Sequence, residues 1–300
     1  MSMKYKLFLL VIAFILILQG CAANDVPPIT ESMTEEQPTV SESAEKTQEI
    51  TADNDSEKSE ESTAEVQKKE LVLPVVINNT GKTLIQTVSN NRQYLYNSYI
   101  ISSANGENVI VDPTQMPSVD VVDLQPAAIV STHSHDDHVD PKFTEKYDCP
   151  KLLYEEGEVK TNDFTIESIL SSHSDDTITE ESDNKIIIFE VDGLRIAHMG
   201  DIGQTFLTDD QLEKLGQIDI AFMQFENSYS SMTRSNEKGF NIIEQLNPVI
   251  IIPTHYLELS ILEKRYGAIT KCENILEISK EDLPEGHLNV YQILNKHIYS

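Results

Sequence analysis

One run limits what this chain can fold into. Ser131-Thr132-His133-Ser134-His135-Asp136-Asp137-His138 follows directly on a short apolar stretch, Ala127 to Ser131. Three histidines and two aspartates within six residues are costly on structural grounds alone. None of these side chains packs well in an apolar core, and crowded charge repels itself. A divalent cation removes that cost, since neutral imidazole and carboxylate both ligate metals of this kind. The plain alternative is a solvated acidic loop that happens to contain histidine. The spacing argues against it. In an extended turn His133 and His135 can point the same way, leaving Asp137 and His138 to face a second position. The run therefore predicts a metal site at the end of a strand.

Three later positions could complete such a site. His173 follows the apolar run Phe164 to Leu170, Asp201 follows Leu194 to Met199, and His255 follows Val249 to Ile252. Ligands collect where strands end at their carboxyl edge. A lone histidine in such a place is usually a cap or a surface residue, but four strand ends of this kind in one chain make a pattern. His198, three residues before Asp201, reads as packed or supporting rather than ligating. Asp136 and Asp140 read as caps or supports of the following turn. Tyr256 reads as a core aromatic and Arg234 as a cation in a pocket loop, open to a substrate role.

Around these positions the chain alternates strands and helices. Leu71 to Asn78 and Lys82 to Val88 predict a hairpin turned at Asn79-Thr80-Gly81. Tyr94 to Ser102 and Asn108 to Asp112 predict a second, turned near Asn105-Gly106 and ended by Asp112-Pro113. Ile186 to Val191 and Leu194 to Met199 predict a third, around Asp192-Gly193. Ile218 to Gln224 and Val249 to Pro253 read as buried strands, Thr208 to Leu215 and Ser235 to Leu246 as helices, and Leu288 to Ile293 as a last strand. The pattern is α/β or α+β, with two sheets face to face and helices outside.

The first 70 residues differ from the rest. Lys4 and Lys6 precede an unbroken apolar run of 12 residues, Leu7 to Leu18, too short for a membrane span and suited to an export signal. Leu18-Gln19-Gly20-Cys21 resembles a bacterial lipobox, which implies cleavage before Cys21 and lipidation of its thiol. From Asp25 to Glu70 there are 14 acidic and 4 basic residues and no Phe, Tyr or Trp. Such a segment cannot bury enough apolar surface to offset its ordering entropy. The expected organisation is a signal peptide over 1–20, a disordered acidic tether over 21–70 and a folded domain over 71–300. The net charge of −28 makes nucleic acid an improbable partner. Cys149 and Cys272 are equally compatible with a disulfide and with free thiols.

The order HxHxDH, His, Asp, His resembles the metallo-β-lactamase superfamily. Gly193-Leu194-Arg195-Ile196-Ala197-His198-Met199-Gly200-Asp201 and Ile252-Pro253-Thr254-His255-Tyr256 resemble its ascorbate-6-phosphate lactonase-like branch. The resemblance runs from about Tyr99 to Leu257. It implies a four-layer αββα sandwich within the α/β class. It implies two divalent ions, zinc first and manganese as the alternative. His133, His135 and His173 would hold one; Asp137, His138 and His255 would hold the other; Asp201 would bridge them. A metal-bound hydroxide would attack an ester, lactone, amide or phosphodiester of a small-molecule substrate, with Asp137 orienting it or moving its proton.

Two departures bear on substrate. The segment after Asp175-Asp176 carries Glu180 and Glu181 where such relatives often have Gly and Arg, and the Phe225 to Tyr229 loop lacks paired glycines. An acidic loop disfavours a phosphorylated substrate. The expectation is thus a metal-dependent hydrolase anchored outside the cell membrane through Cys21. One rival is a non-catalytic metal- or ligand-binding lipoprotein. The other, a di-iron redox enzyme, is disfavoured because His135 stands where those relatives have a carboxylate.

Overall fold

A computed structural model describes residues 78–89, 96–116, 124–255 and 258–294. The signal, the lipobox with Cys21, the tether, Tyr256 and the first strand of the expected opening hairpin lie outside the described residues.

Five strands early in the chain and one late strand build the first sheet. They are β1 (Thr83–Thr87), β2 (Tyr99–Ser102), β3 (Asn108–Val111), β4 (Ala128–Ser131), β5 (Lys151–Leu153) and β13 (Ile275–Ile278). Their order is β13-β1-β2-β3-β4-β5. β1 pairs with β2 on one edge and with β13 on the other. β2 and β3 pair antiparallel as the turn at Asn105-Gly106 predicts. β3, β4 and β5 then run parallel, which brings their carboxyl ends to one edge.

The second sheet holds β6 (Gly157–Lys160), β7 (Thr165–Ser171), β8 (Asn184–Val191), β9 (Leu194–His198), β10 (Ile220–Met223), β11 (Ile250–Pro253), β12 (Thr270–Glu273) and β14 (Asn289–Leu294). Its order is β12-β14-β11-β10-β9-β8-β7-β6. β8 and β9 form the tight hairpin at Asp192-Gly193, while β9, β10 and β11 run parallel.

Period-two alternation sorts the side chains into layers. Ile101, Val109, Val111 and Val130 of the first sheet meet Ile187, Phe189, Ile196, Phe222 and Ile252 of the second in a shared core. The opposite face of the first sheet, with Ile100, Ile110 and Ile129, packs on Phe143 of the short helix α1 (Pro141–Thr144). The opposite face of the second, with Ile188, Ala197, Ala221 and Ile251, is covered by three helices: α2 (Asp209–Leu215), α3 (Lys238–Leu246) and α4 (Leu259–Tyr266). Helix, sheet, sheet, helix is the expected four-layer α/β sandwich.

Local chemistry fixes the helix starts. Thr208 and Gln211 form a capping box at α2. Asp140 caps α1 by accepting from the Lys142 amide, with Pro141 at the first helical position, as expected of it. Cys149 and Cys272 are free, half-buried thiols that pack against different clusters.

Candidate metal centre

The predicted residues converge at one edge of the sandwich, where strand ends from both sheets meet. β4 delivers the His133 to His138 turn, closed by amides of His138 and Val139 on the His135 carbonyl. β7 delivers His173, β9 delivers Asp201 and β11 delivers His255. The donors form two groups, His133-His135-His173 and Asp137-His138-Asp201-His255, and within each group they lie within 4.8 Å of one another. All seven positions are accounted for.

Asp201 divides its two oxygens between the groups. Oδ1 lies 2.9 Å from Nε2 of His255 and 3.3 Å from Nε2 of His138. Oδ2 lies 3.5 Å from Nε2 of His173 and 3.8 Å from Nε2 of His133. His138 and His255 nitrogens stand 3.1 Å apart. The rings of His133 and His135 are 4.7 Å apart, and those of His135 and His173 are 4.9 Å apart. Asp137 stands at the rim, its carboxylate 3.8 Å from Nε2 of His138.

Nε2 of His133, Nε2 of His173 and Oδ1 of Asp201 are buried without a hydrogen-bond partner. Buried polar atoms are normally paired, and leaving several of them unpaired in one place is costly. Lone pairs from imidazole and carboxylate gathered in these two groups fit divalent cations of the zinc class.

The electrostatics agree. Burial, with the neighbouring His138, pushes the His133 imidazole down to about 2, so it is neutral as a ligand must be. Burial works against charge on His138, but Asp201 and Asp112 carry it well above the usual histidine value. A cation arriving there has to displace that proton. Burial likewise opposes charge on Asp201, yet His255 and His138 hold its carboxyl well below the usual range.

Several residues of the site carry no sequence motif. Asp112, at the end of β3, is fully buried and accepts from the Thr132 amide at 2.7 Å and, through Oδ2, faces Nδ1 of His138 at 2.8 Å. A carboxylate behind a ligating histidine fixes its ring and tautomer. Asn97 donates to the Asp137 carbonyl at 3.0 Å. Asn227 donates to Oδ2 of Asp201 at 2.7 Å, and Asn184 accepts from the Asp201 amide at 2.9 Å. Lys238 donates to the carbonyls of Gly203 and Ser174, tying the two ligand loops together.

His198 is packed, as expected: it stacks on Phe222 and accepts from the Gly200 amide at 3.0 Å. Arg234 is held by Glu226 at 2.7 Å and Glu258 at 3.0 Å. Beside the histidine turn opens a cavity of about 370 Å³, lined by Ser134, Tyr154, Glu155, Glu156, Glu180 and Glu181 among others. Lys185 on the same wall donates to the Ser182 carbonyl.

A family model described as a β-lactamase superfamily domain matches residues 93–255, more than half of the chain. A metal-dependent hydrolase of Enterococcus faecalis is 26% identical over 191 residues, 53% of this chain and 83% of the relative. Among solved structures, a Thermotoga maritima protein described as a Zn-dependent hydrolase of the metallo-β-lactamase superfamily aligns with a TM-score of 0.52 at 19% identity. That alignment covers 70% of this chain and 98% of the other, and shows a common fold.

Proposed function

The chain belongs to the β-lactamase superfamily, and on that premise we propose that it is a metal-dependent hydrolase with a dinuclear site. His133, His135 and His173 would hold one ion and Asp137, His138 and His255 the other, with Asp201 shared between the two groups. The observation that carries this is the division of Asp201 between the two groups of donors. Zinc is the first choice of metal and manganese the second. Bound ions of this kind supply an activated water and a Lewis acid for an ester, lactone, amide or phosphodiester.

The chain's own residues do the rest. Asp112 holds His138 in one tautomer, Asn184 and Asn227 fix both ends of the bridging carboxylate, and Asp137 at the rim holds or moves a proton. The acidic cavity beside Ser134 and the engaged state of Arg234 favour a neutral or cationic small molecule over a phosphorylated one. This separates the chain from a sugar-phosphate lactonase while keeping lactones among the substrate classes. The export-signal and lipobox sequence supports an enzyme held outside the cell membrane by a lipid at Cys21. Replacement of Cys21 by Ala should release the protein into the medium.

The test is turnover of a panel of neutral esters, lactones, amides and phosphodiesters by the metal-loaded protein. Activity on one class, lost by at least 100-fold in Asp137→Ala with metal retained, supports the proposal. Tight metal binding with no turnover of any class favours the rival, a metal-binding lipoprotein.

A further inference from the structure

Asn97 lies in the turn just before β2, far from any of the ligand motifs in sequence, yet its side chain is buried inside the second group of donors. Its Nδ2 stands 3.4 Å from Nε2 of His138 and 3.4 Å from Nε2 of His255. It is anchored by its donation to the Asp137 carbonyl at 3.0 Å. Those separations have a meaning. Donor atoms set about 2.0–2.1 Å from a tetrahedral zinc stand about 3.3 Å from one another. The pairs His138–His255, His138–Asp201 and His255–Asp201 are separated by 3.1, 3.3 and 2.9 Å. The carboxamide nitrogen of Asn97 therefore packs directly against the imidazole nitrogens of this group.

We propose that Asn97 is a positioning residue of the second metal cluster, whose amide holds the Asp137 backbone against the His138 and His255 rings and sets the affinity of that cluster alone. The inference rests on the two-metal reading above. Three features support it. One amide N–H is held by the Asp137 carbonyl while Nδ2 packs at 3.4 Å against both imidazole nitrogens, so one side chain touches three members of the cluster. The group is neutral, so it organises the site without adding charge beside Asp137 and Asp201. Finally, its side chain reaches Asp137, His138 and His255, all members of one group.

The experiment is stepwise titration of the chelator-stripped full chain with zinc, and separately with manganese, followed by calorimetry. Far-UV circular dichroism on the stripped protein checks folding. Wild type should take up two equivalents. Asn97→Ala should weaken one step by about 10–100-fold, the usual effect of removing a group that orients a ligand. The other step should stay within about threefold. Asn97→Asp keeps the shape but sets an acceptor against the Asp137 carbonyl, and should weaken the same step as Asn97→Ala does.

Two equivalents in wild type with both steps unchanged in Asn97→Ala overturns the inference and leaves the two-metal reading standing. Equal weakening of both steps, or an Asn97→Asp variant that binds the affected step at least as tightly as wild type, also overturns it. One equivalent or none in wild type overturns the two-metal reading and the inference together.

Discussion

Asp112 lies 2.8 Å from Nδ1 of His138, and neither side chain has any solvent exposure. The contact ties the end of β3 to the ligand turn after β4. Burial would raise the Asp112 carboxyl, but the charge and hydrogen bond of His138 hold it down at about 2. The Thr132 amide and hydroxyl donate to the same carboxylate.

Asp112→Asn is therefore expected to cost about 1–3 kcal/mol of stability, because buried partners lose a charged acceptor. It should also weaken one metal-binding step by about 10–100-fold. Asn tolerates the left-handed backbone at this position (φ 47°), so conformational strain does not confound the result. Urea unfolding of the stripped protein and zinc competition measure the two effects. Wild-type metal affinity in the variant would remove Asp112 from the site.

Asp112 also shows what sequence conceals. An aspartate before Pro113 reads as a strand terminator, and nothing local ties it to a histidine 26 residues later. The link exists only because β3 and β4 run parallel and end together. Asn97 and Asn227 are hidden in the same way, as polar loop residues whose partners lie across the fold. His133 to His138, His173, Asp201 and His255 were readable because each follows an apolar run long enough to declare a strand. The strands that escaped notice lack that signature. β6 and β12 have one buried face at most, with the sequences Gly-Glu-Val-Lys and Thr-Lys-Cys-Glu. Helix α4 buries only Leu262, so its amphipathic signal is faint. β13 returns from the far end of the chain to pair with β1, a long-range contact that no local pattern encodes.

Gly203 offers a test of the loop geometry. A Cβ there would press into the backbone carbonyls of His173 and Ser230. Gly203→Ala should cost about 3 kcal/mol through overpacking and should shift His173 away from its group. Gly193, at φ 78° with open space around its missing Cβ, provides the control. Gly193→Ala should cost about 1 kcal/mol, from backbone strain alone, and leave metal uptake unchanged. Thermal unfolding with and without zinc distinguishes them, and equal behaviour of the two variants would contradict the packing described.

His198 gives the fold a pH dependence. Burial, offset only in part by Asp112, pushes its imidazole down to about 4. Above pH ~6.5 both folded and unfolded forms are neutral and the residue has no pH effect. As pH falls from ~6.5 toward 4, the unfolded chain takes up a proton that the folded protein refuses. Stability then drops, by on the order of 3 kcal/mol in total, with no further loss from this group below 4. In chelator, wild type should lose more Tm between pH 7 and 4 than His198→Asn, which keeps an acceptor for the Gly200 amide. Parallel pH profiles would show that His198 titrates normally in the folded state.

The most direct measurement is the metal content of the purified protein and of its Asp201→Ala variant. The division of Asp201 between two groups of donors predicts two equivalents of zinc or manganese in the wild type and at most one in the variant. Metal near zero in the wild type, with all seven ligands intact, or two equivalents retained without Asp201, would contradict it.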